Sequence, residues 1–253
     1  MMAHSIPGKH LRRKAAPMLC ALLLPVAASC SDEPSKGTST IPSKTSSPSV
    51  STPPTYTIQQ IRSRLLSGEE IGSAKHEIRV AVESIKNNKA PMCSLSGASF
   101  KGEPELLKRQ FFNQPKRPRD EIFYTQIVAL YASPAEAIKA FSTLKKKAES
   151  CPSKQRIPAR KKPGENFIYN PHDDTWKVVT TSVPGWTSFR GYEKHIEPRT
   201  SKYNVFYFMY DYATRGNVVF CSLYWERAEP DDSGDPVAQR ANELLTRQLQ
   251  KFE

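Results

Sequence analysis

The chain has 253 residues, a length that suits one large domain or two small ones. Its formal net charge of +12 favours contact with anionic surfaces such as lipid headgroups, phosphate-rich wall polymers or nucleic acid. Because the sequence carries no nucleic-acid-binding motif, we do not expect nucleic acid to be a partner.

The first 29 residues resemble the signal peptide of a bacterial lipoprotein. A basic segment, Lys9–Lys14, precedes the apolar run Met18–Ala28, which is too short to span a membrane. The run leads into Ala27-Ala28-Ser29-Cys30, which is similar to a lipobox, although Ala27 stands where Leu is usual. We therefore expect a lipid such as palmitate on Cys30 and anchoring at the extracytoplasmic face of the cell membrane. The alternative is an ordinary secretory signal with a chance cysteine.

Residues 30–56 are rich in Ser, Thr and Pro and contain almost no large apolar side chain. Such a segment cannot bury a core, so we expect a lipid-anchored, disordered linker that leads to one folded domain over residues 57–253. Removal of the signal peptide takes away four basic residues and no acidic ones, which lowers the net charge from +12 to +8.

The opening part of the domain has weak local signals. Residues 58–71 show helical spacing of their apolar side chains, which predicts a short helix. Residues 78–82 alternate between apolar and polar types, as a strand does. Residues 102–107 favour a second short helix.

A strand and a helix form the strongest local pattern in the chain. The β-branched and aromatic run Ile122–Tyr131 predicts a central strand. A helix should follow the capping residue Ser133, with Pro134 in its first turn, and should end near Cys151. Its buried face should carry the apolar residues at helical spacing, which are Ala137, Phe141, Leu144 and Ala148.

Short strands and turns are predicted after this helix. Asn166–Tyr169 and Thr175–Ser182 read as strands on either side of a turn at residues 170–174. Pro184-Gly185 predicts a second turn, followed by a short strand at Trp186–Phe189.

The last third of the domain predicts a hairpin and a helix. Tyr203–Tyr212 and Asn217–Trp225 read as paired strands, and Gly216 supplies the positive φ that a tight hairpin turn needs. Asp235 should cap the final helix, with Pro236 in its first turn. The expected fold class is α/β in the α+β sense, a twisted and mainly antiparallel sheet with helices packed on it.

Five basic residues lie between the central helix and the next strands: Lys154, Arg156, Arg160, Lys161 and Lys162. They are interpreted either as a solvated connection or as an anion-binding patch.

Three segments of the domain carry a family resemblance: the strand–helix unit Ile122–Cys151, the late segment Arg215–Val219 and the opening helix Tyr56–Leu66. Together they resemble actinobacterial sensor domains related to the extracellular domain of the PknH-type serine/threonine kinase. The resemblance implies a secreted or lipid-anchored sensor domain with a disulfide and a ligand-binding cleft. Kinase activity is not implied, because the sequence has no catalytic kinase motif.

Three cysteines fall within the expected domain, Cys93, Cys151 and Cys221, so at most one intramolecular disulfide can form. An exported protein can retain such a bond. The family resemblance implies that Cys151, at the end of the helix, pairs with Cys221 on a later strand and leaves Cys93 free. Pairing of Cys93 with Cys151 or with Cys221 is the alternative.

Motifs for catalysis or cofactor binding are missing from the sequence. It has no nucleophile elbow, no phosphate loop and no dinucleotide-binding glycine pattern. The histidines of the domain, His76, His172 and His195, lack metal-ligand spacing. The nearest candidate is His172-Asp173-Asp174, which falls in a predicted turn where such residues are ordinary. We therefore expect no metal, no cofactor and no enzymatic activity.

Two functions remain from different classes. The aromatic density of residues 203–225 favours a binding or sensor module with a cleft lined by Tyr207, Phe208, Tyr210 or Trp225, although these side chains could instead be core. The alternative is a cell-envelope interaction protein that binds anionic wall polymers or a protein partner through its basic surface.

Overall fold

A computed structural model of the chain describes residues 53–72, 76–113, 116, 120–161, 168–198 and 202–253, without the side chains of residues 168 and 169. The predicted signal peptide, Cys30, most of the predicted linker and Lys162 lie outside the described residues. Within the described ranges, no helix is long and apolar enough to cross a membrane.

The helices are α1 (Ile58–Arg64), α2 (Gly68–Ile71), α3 (Glu83–Lys86), α4 (Pro134–Glu149) and α5 (Asp235–Gln250), with a 3₁₀ turn at Cys93–Leu95. The strands are β1 (His76–Ile78), β2 (Lys89–Pro91), β3 (Gly97–Ser99), β4 (Glu105–Phe112), β5 (Ile122–Leu130), β6 (Lys154–Ile157), β7 (Arg160–Lys161), β8 (Ile168–Tyr169), β9 (His172–Val183), β10 (Trp186–Ile196), β11 (Val205–Arg215) and β12 (Val218–Ala228).

Eight of these strands form one sheet in the order β1-β4-β5-β12-β11-β10-β9-β6. Every neighbouring pair in it is antiparallel. Two small ribbons, β2 with β3 and β7 with β8, lie outside this sheet. With α4 and α5 packed on the sheet, the fold class predicted from the sequence is confirmed.

Helix α4 covers one face of the sheet. Its N-terminus is capped by Ser133, whose Oγ accepts a hydrogen bond from the backbone N–H of Glu136 at 3.3 Å. The residues predicted for its buried face all join one core cluster with Ile127, Tyr212 and Cys221 of the sheet; they are Ala137, Phe141, Leu144 and Ala148. The helical spacing therefore identified the packing face of α4.

Helix α5 covers the opposite face of the same strands. Its apolar residues Val237, Ala241 and Leu244 pack with Tyr207 and Met209 of β11. Because both faces are covered, β11 is buried along nearly its whole length. The long antiparallel strands therefore form the centre of the domain.

A buried ion pair joins the sheet to α5. Arg190 and Asp211 are register partners on β10 and β11, with Nε to Oδ1 at 2.6 Å and Nη2 to Oδ2 at 3.1 Å. Burial raises the pKa of Asp211, although the guanidinium beside it favours the carboxylate. Arg190 Nη1 also donates to the carbonyl oxygen of Ala238 in α5 at 2.9 Å, so the pair positions the helix over the sheet.

The strand predicted at residues 78–82 is not observed, because β1 ends at Ile78 and residues 79–82 are irregular. Two further sequence predictions of local structure are wrong. No helix forms at residues 102–107, because residues 102–104 are irregular and Glu105 begins strand β4, which pairs with β5 as far as Phe112. The turn expected at residues 170–174 is also wrong, because strand β9 already begins at His172. In both places the partner strand supplies backbone hydrogen bonds that outweigh a weak local preference.

The disulfide joins Cys93 to Cys151, with their Cα atoms 6.3 Å apart. The expected Cys151–Cys221 pairing is therefore wrong, and Cys221 is a buried free thiol whose pKa is raised by burial. The reason is the position of the helix end. The indole N–H of Trp176 on β9 donates to the carbonyl oxygen of Ala148, and β12, which carries Cys221, lies three strands away. Three strand spacings are roughly 14 Å, too far for a disulfide.

We predict that Cys151→Ser lowers the free energy of unfolding by about 2–4 kcal/mol, because it removes a cross-link that constrains the unfolded chain. Cys93→Ser should cost the same, and the double variant no more than either single variant. The matched control is Cys221→Ala, which breaks no bond and should cost only about 1 kcal/mol. Urea unfolding of the oxidised proteins measures these differences. A Cys221 variant that loses as much stability as Cys151→Ser would contradict the pairing.

Candidate functional site

A cleft of about 650 Å³ lies on the sheet face that carries α4. Its floor consists of four aromatic side chains from three adjacent strands: Phe123 of β5, Trp225 of β12, and Phe206 and Phe208 of β11. The register explains their assembly, because Trp225 is the partner of Phe123 on one side and of Phe208 on the other. The rings of Phe123 and Trp225 stack with centroids 4.7 Å apart.

The cleft is open because α4 covers a different part of the same face. Phe141 of α4 packs on Phe189, with ring centroids 5.3 Å apart, and Phe189 in turn stacks on Tyr212. Tyr212 lies four residues along β11 from Phe208, so the helix and the cleft floor occupy successive stretches of one strand. The aromatic row is therefore core beneath the helix and cleft floor beyond it.

One wall of the cleft is the 3₁₀ turn at Cys93–Leu95. Ser94 and Leu95 have φ values of 50° and 55°, in the left-handed region that side chains other than glycine seldom adopt. The Ser94 N–H donates to Glu193 Oε2 at 2.5 Å, and the Leu95 N–H donates to the Tyr210 hydroxyl at 3.3 Å. These bonds and the adjacent disulfide hold the strained turn against the sheet.

The adjoining wall contains two histidines and two carboxylates. His195 Nδ1 lies 2.8 Å from Oδ1 of Asp174, and His195 Nε2 lies 3.7 Å from Oε1 of Glu197. His172 Nε2 lies 3.7 Å from Oδ2 of Asp174. The Ser94 hydroxyl donates to Oδ2 of Asp174, which connects the two walls.

The charges on this wall are coupled. Burial disfavours the imidazolium of His195, but the neighbouring Asp174 and Glu197 carboxylates outweigh it and raise its pKa to about 9. Contact with His195 lowers the pKa of Glu197. Burial and the nearby Asp174 raise the pKa of Glu193 to about 8. At neutral pH the wall therefore carries a cation between two anions, with a neutral carboxyl beneath them.

Of the four aromatic residues predicted for a cleft, two line it and two do not. Phe208 and Trp225 line the floor. Tyr210 is buried, and its hydroxyl accepts a hydrogen bond from the Leu95 N–H in the cleft wall. Tyr207 does not belong to the cleft, because successive side chains of a strand point to opposite faces. It lies on the α5 face and donates to the carbonyl oxygen of Asp232 at 2.7 Å.

Two floor residues, Phe123 and Phe206, were missed by the sequence reasoning. Phe206 has the same parity as Phe208, so strict alternation along β11 was a signal that could have identified it. Phe123 required the pairing of β5 with β12, which the sequence does not display.

The predicted basic patch is also divided. Lys154 and Arg156 lie exposed on the outer side of the edge strand β6, and Arg156 forms an ion pair of 3.3 Å with Asp173. Arg160 lines the cleft. Lys161 is exposed, and Lys162 falls among the residues that are not described. Only part of the patch therefore forms a separate surface.

His195 was not connected with His172 and Asp174 in the sequence, yet the signal was present. The Pro184-Gly185 turn joins β9 to β10 with Val183 opposite Trp186, and Gly185 has a φ of 71°. Continuing that register places His195 opposite Asp174. The predicted strands were too short to bring these side chains together, because the first began at Thr175 instead of His172 and the second ended at Phe189 instead of Ile196.

Comparison with solved structures shows the fold. The chain is similar to the crystal structure of the extracellular domain of PknH from Mycobacterium tuberculosis, with a TM-score of 0.53 over 79% of this chain and 98% of that one. Only 9% of the aligned residues are identical, so the likeness concerns the fold alone. The sequence matches no protein-family model and no curated protein. The sensor-domain fold implied by the sequence resemblance is thus confirmed.

Proposed function

We propose that this chain is a lipid-anchored, non-catalytic binding protein of sensor type, which holds a small ligand in its cleft on the extracytoplasmic side of the membrane. The observation that carries the proposal is the cleft itself, with an aromatic floor and a charged wall. Its volume of about 650 Å³ is within the range of small-molecule sites.

The lining indicates the chemistry of the ligand. Phe206, Phe208 and Trp225 offer aromatic faces for an apolar or planar group. His195 and Glu197 on one wall, with Arg160 nearby, offer charged partners for a polar end. The ligand class that suits both is a small amphipathic molecule, such as a fragment derived from the cell wall.

Three observations support the proposed location. The lipobox-like segment before Cys30 supports export and acylation. The Cys93–Cys151 disulfide suits an oxidising compartment. The structural neighbour is an extracellular domain.

The contacts of Ser94 support a non-catalytic role. A serine nucleophile needs its hydroxyl paired with a base such as histidine. The Ser94 hydroxyl donates instead to the buried carboxylate of Asp174, and its backbone N–H donates to Glu193. These hydrogen bonds hold the turn in place as part of the cleft wall.

We predict that the Cys30→Ser protein binds the fluorescent probe anilinonaphthalene sulfonate in the cleft and that Trp225→Ala weakens this binding about tenfold, because the floor loses its largest ring. Leu95→Glu should weaken it similarly, since Leu95 is exposed and lines the cleft. Fluorescence titration measures the affinities.

The matched control for this titration is Ile138→Glu, which makes the same chemical change at an exposed apolar residue of α4 outside the cleft. It should bind the probe as the parent protein does. Equal binding by all four proteins would show that the probe does not occupy the cleft and would count against the proposal.

The lipid anchor has its own test in a bacterium that acylates lipoproteins. Cys30→Ser should abolish incorporation of a labelled palmitate analogue and release the chain from the membrane fraction, because the acceptor thiol is lost. Cys20→Ser is the control, since Cys20 lies within the apolar run and should be removed with the signal peptide. Labelling that persists in the Cys30 variant would exclude the anchor.

A second candidate function is binding of anionic wall polymers. It is favoured by the exposed basic residues Lys154, Arg156 and Lys161 beside the edge strand. The combined variant Lys154→Gln and Lys161→Gln should then bind long-chain polyphosphate more weakly, and added salt should weaken the parent protein in the same way. Replacing the exposed Lys139 and Lys146 of α4 by Gln removes the same charge elsewhere and should have little effect. If both double variants lost polyphosphate binding equally, the binding would depend on net charge alone and not on this surface.

A further inference from the structure

Two imidazoles and one carboxylate converge at the wall of the cleft. His172 and Asp174 share one face of β9, two residues apart, and His195 is the register partner of Asp174 on β10. One donor atom from each residue lies within 4.8 Å of the other two. The Asp174 side chain is 2% exposed, whereas His172 and His195 line the cleft.

The carboxylate at the centre of this cluster is incompletely satisfied. Asp174 Oδ1 faces His195 Nδ1 at 2.8 Å but accepts no aligned hydrogen bond from any described group. Buried carboxylate oxygens are ordinarily paired with donors or cations, so the cluster has acceptor capacity for a cation.

Both histidines are oriented as metal-binding histidines are. Nδ1 of His172 lies 3.0 Å from the carbonyl oxygen of Asn170, which can only accept, so Nδ1 carries the proton and Nε2 faces Asp174 with its lone pair. His195 is arranged in the opposite sense, with Nε2 toward Glu197 and Nδ1 toward Asp174, and metal binding would displace the proton from Nδ1. A metal-ligating histidine characteristically donates its other ring N–H to a carbonyl or a carboxylate.

We propose that His172 Nε2, Asp174 and His195 Nδ1 bind a divalent transition-metal ion such as Zn²⁺. Two imidazole nitrogens and one carboxylate oxygen are a ligand set that zinc and its first-row neighbours accept. Two further side chains orient the Asp174 carboxylate: the Ser94 hydroxyl donates to Asp174, and the Gln155 amide donates to Ser94. Zinc bonds of about 2.0–2.2 Å place their ligand atoms about 3.4 Å from one another. His172 Nε2, now 3.7 Å from Asp174, would move in slightly, and His195 Nδ1, now 2.8 Å from Asp174, would move out slightly.

Three protein ligands leave one position of a tetrahedral ion unfilled. Because His172 and His195 line the cleft, that position faces the space above the aromatic floor. A bound ion would therefore offer a positive contact for an anionic or nitrogen-donor group in the cleft. The metal site stands on its own ligands and does not depend on the organic ligand of the proposed function.

The test is zinc retention by the full chain carrying Cys20→Ser and Cys30→Ser, so that no thiol outside the fold binds the ion. The oxidised protein is dialysed against zinc chloride, and bound zinc is measured by elemental mass spectrometry and by calorimetric titration. We expect one ion per chain in the cluster, a higher Tm with zinc and reversal by EDTA.

His172→Ala and His195→Ala should each weaken zinc binding more than about 100-fold, because loss of even an outer-shell partner costs about 10–100-fold. Glu197→Gln should weaken zinc binding by only about 10–100-fold, because Glu197 contacts His195 and not the ion. The matched control is His76→Ala, which removes an exposed histidine of β1 outside the cluster and should bind zinc as the parent does. Unfolding without zinc verifies that each variant is folded, and His172, on the cleft surface, is the safer of the two ligand substitutions.

Zinc that raises the Tm of the parent and of His76→Ala, but not of the two ligand variants, supports the site. A parent protein that retains no zinc would overturn the proposal. Retention by the folded His172 and His195 variants equal to that of the parent would overturn it as well, because the ion would then lie elsewhere on the chain.

Discussion

Alternation of side chains along the long antiparallel strands β9 to β12 is the constraint on which the rest of the structure depends. Strands β11 and β12 present one set of side chains to α4 and the cleft and the other set to α5. Phe206, Phe208 and Tyr210 therefore form an aromatic row on one face, while Tyr207 and Asp211 serve the other face. Since both faces are covered, a slip of one residue would bury the Arg190–Asp211 pair against α4 and turn the cleft floor toward α5.

The cleft exists because α4 is anchored at one end of this face. The indole N–H of Trp176 donates to the Ala148 carbonyl in the last turn of α4. Cys151, just after the helix, forms the disulfide with Cys93 in the 3₁₀ turn. The turn carries Ser94 in a left-handed conformation and places its N–H and hydroxyl on Glu193 and Asp174. The disulfide that stabilises the domain thus also positions the part of the cleft wall that adjoins the histidines. A strained backbone at such a place is common in binding sites, where surrounding contacts maintain it.

Local patterns predicted the parts of the fold that depend on neighbours in sequence. The apolar spacing of α4, its serine cap and the tight turn at Gly216 all appear as expected, because capping, amphipathic periodicity and positive φ are short-range properties. The predicted partner of Cys151 was wrong because it is a long-range property of the fold. It depended on which strand the end of α4 reaches, and a family resemblance with few identical residues did not carry that detail.

The sequence by itself determined the class of the domain, its central helix, its late hairpin and an aromatic stretch rich enough to form a cleft. Only the tertiary structure decided which aromatics line the cleft, since Phe123 reaches the floor through pairing of β5 with β12. It alone joined His195 to His172 and Asp174, because 20 residues of hairpin separate His195 from Asp174 and a two-residue turn sets their register. Side chains distant in sequence come together only when strand order and register are settled, and those are global properties of the chain.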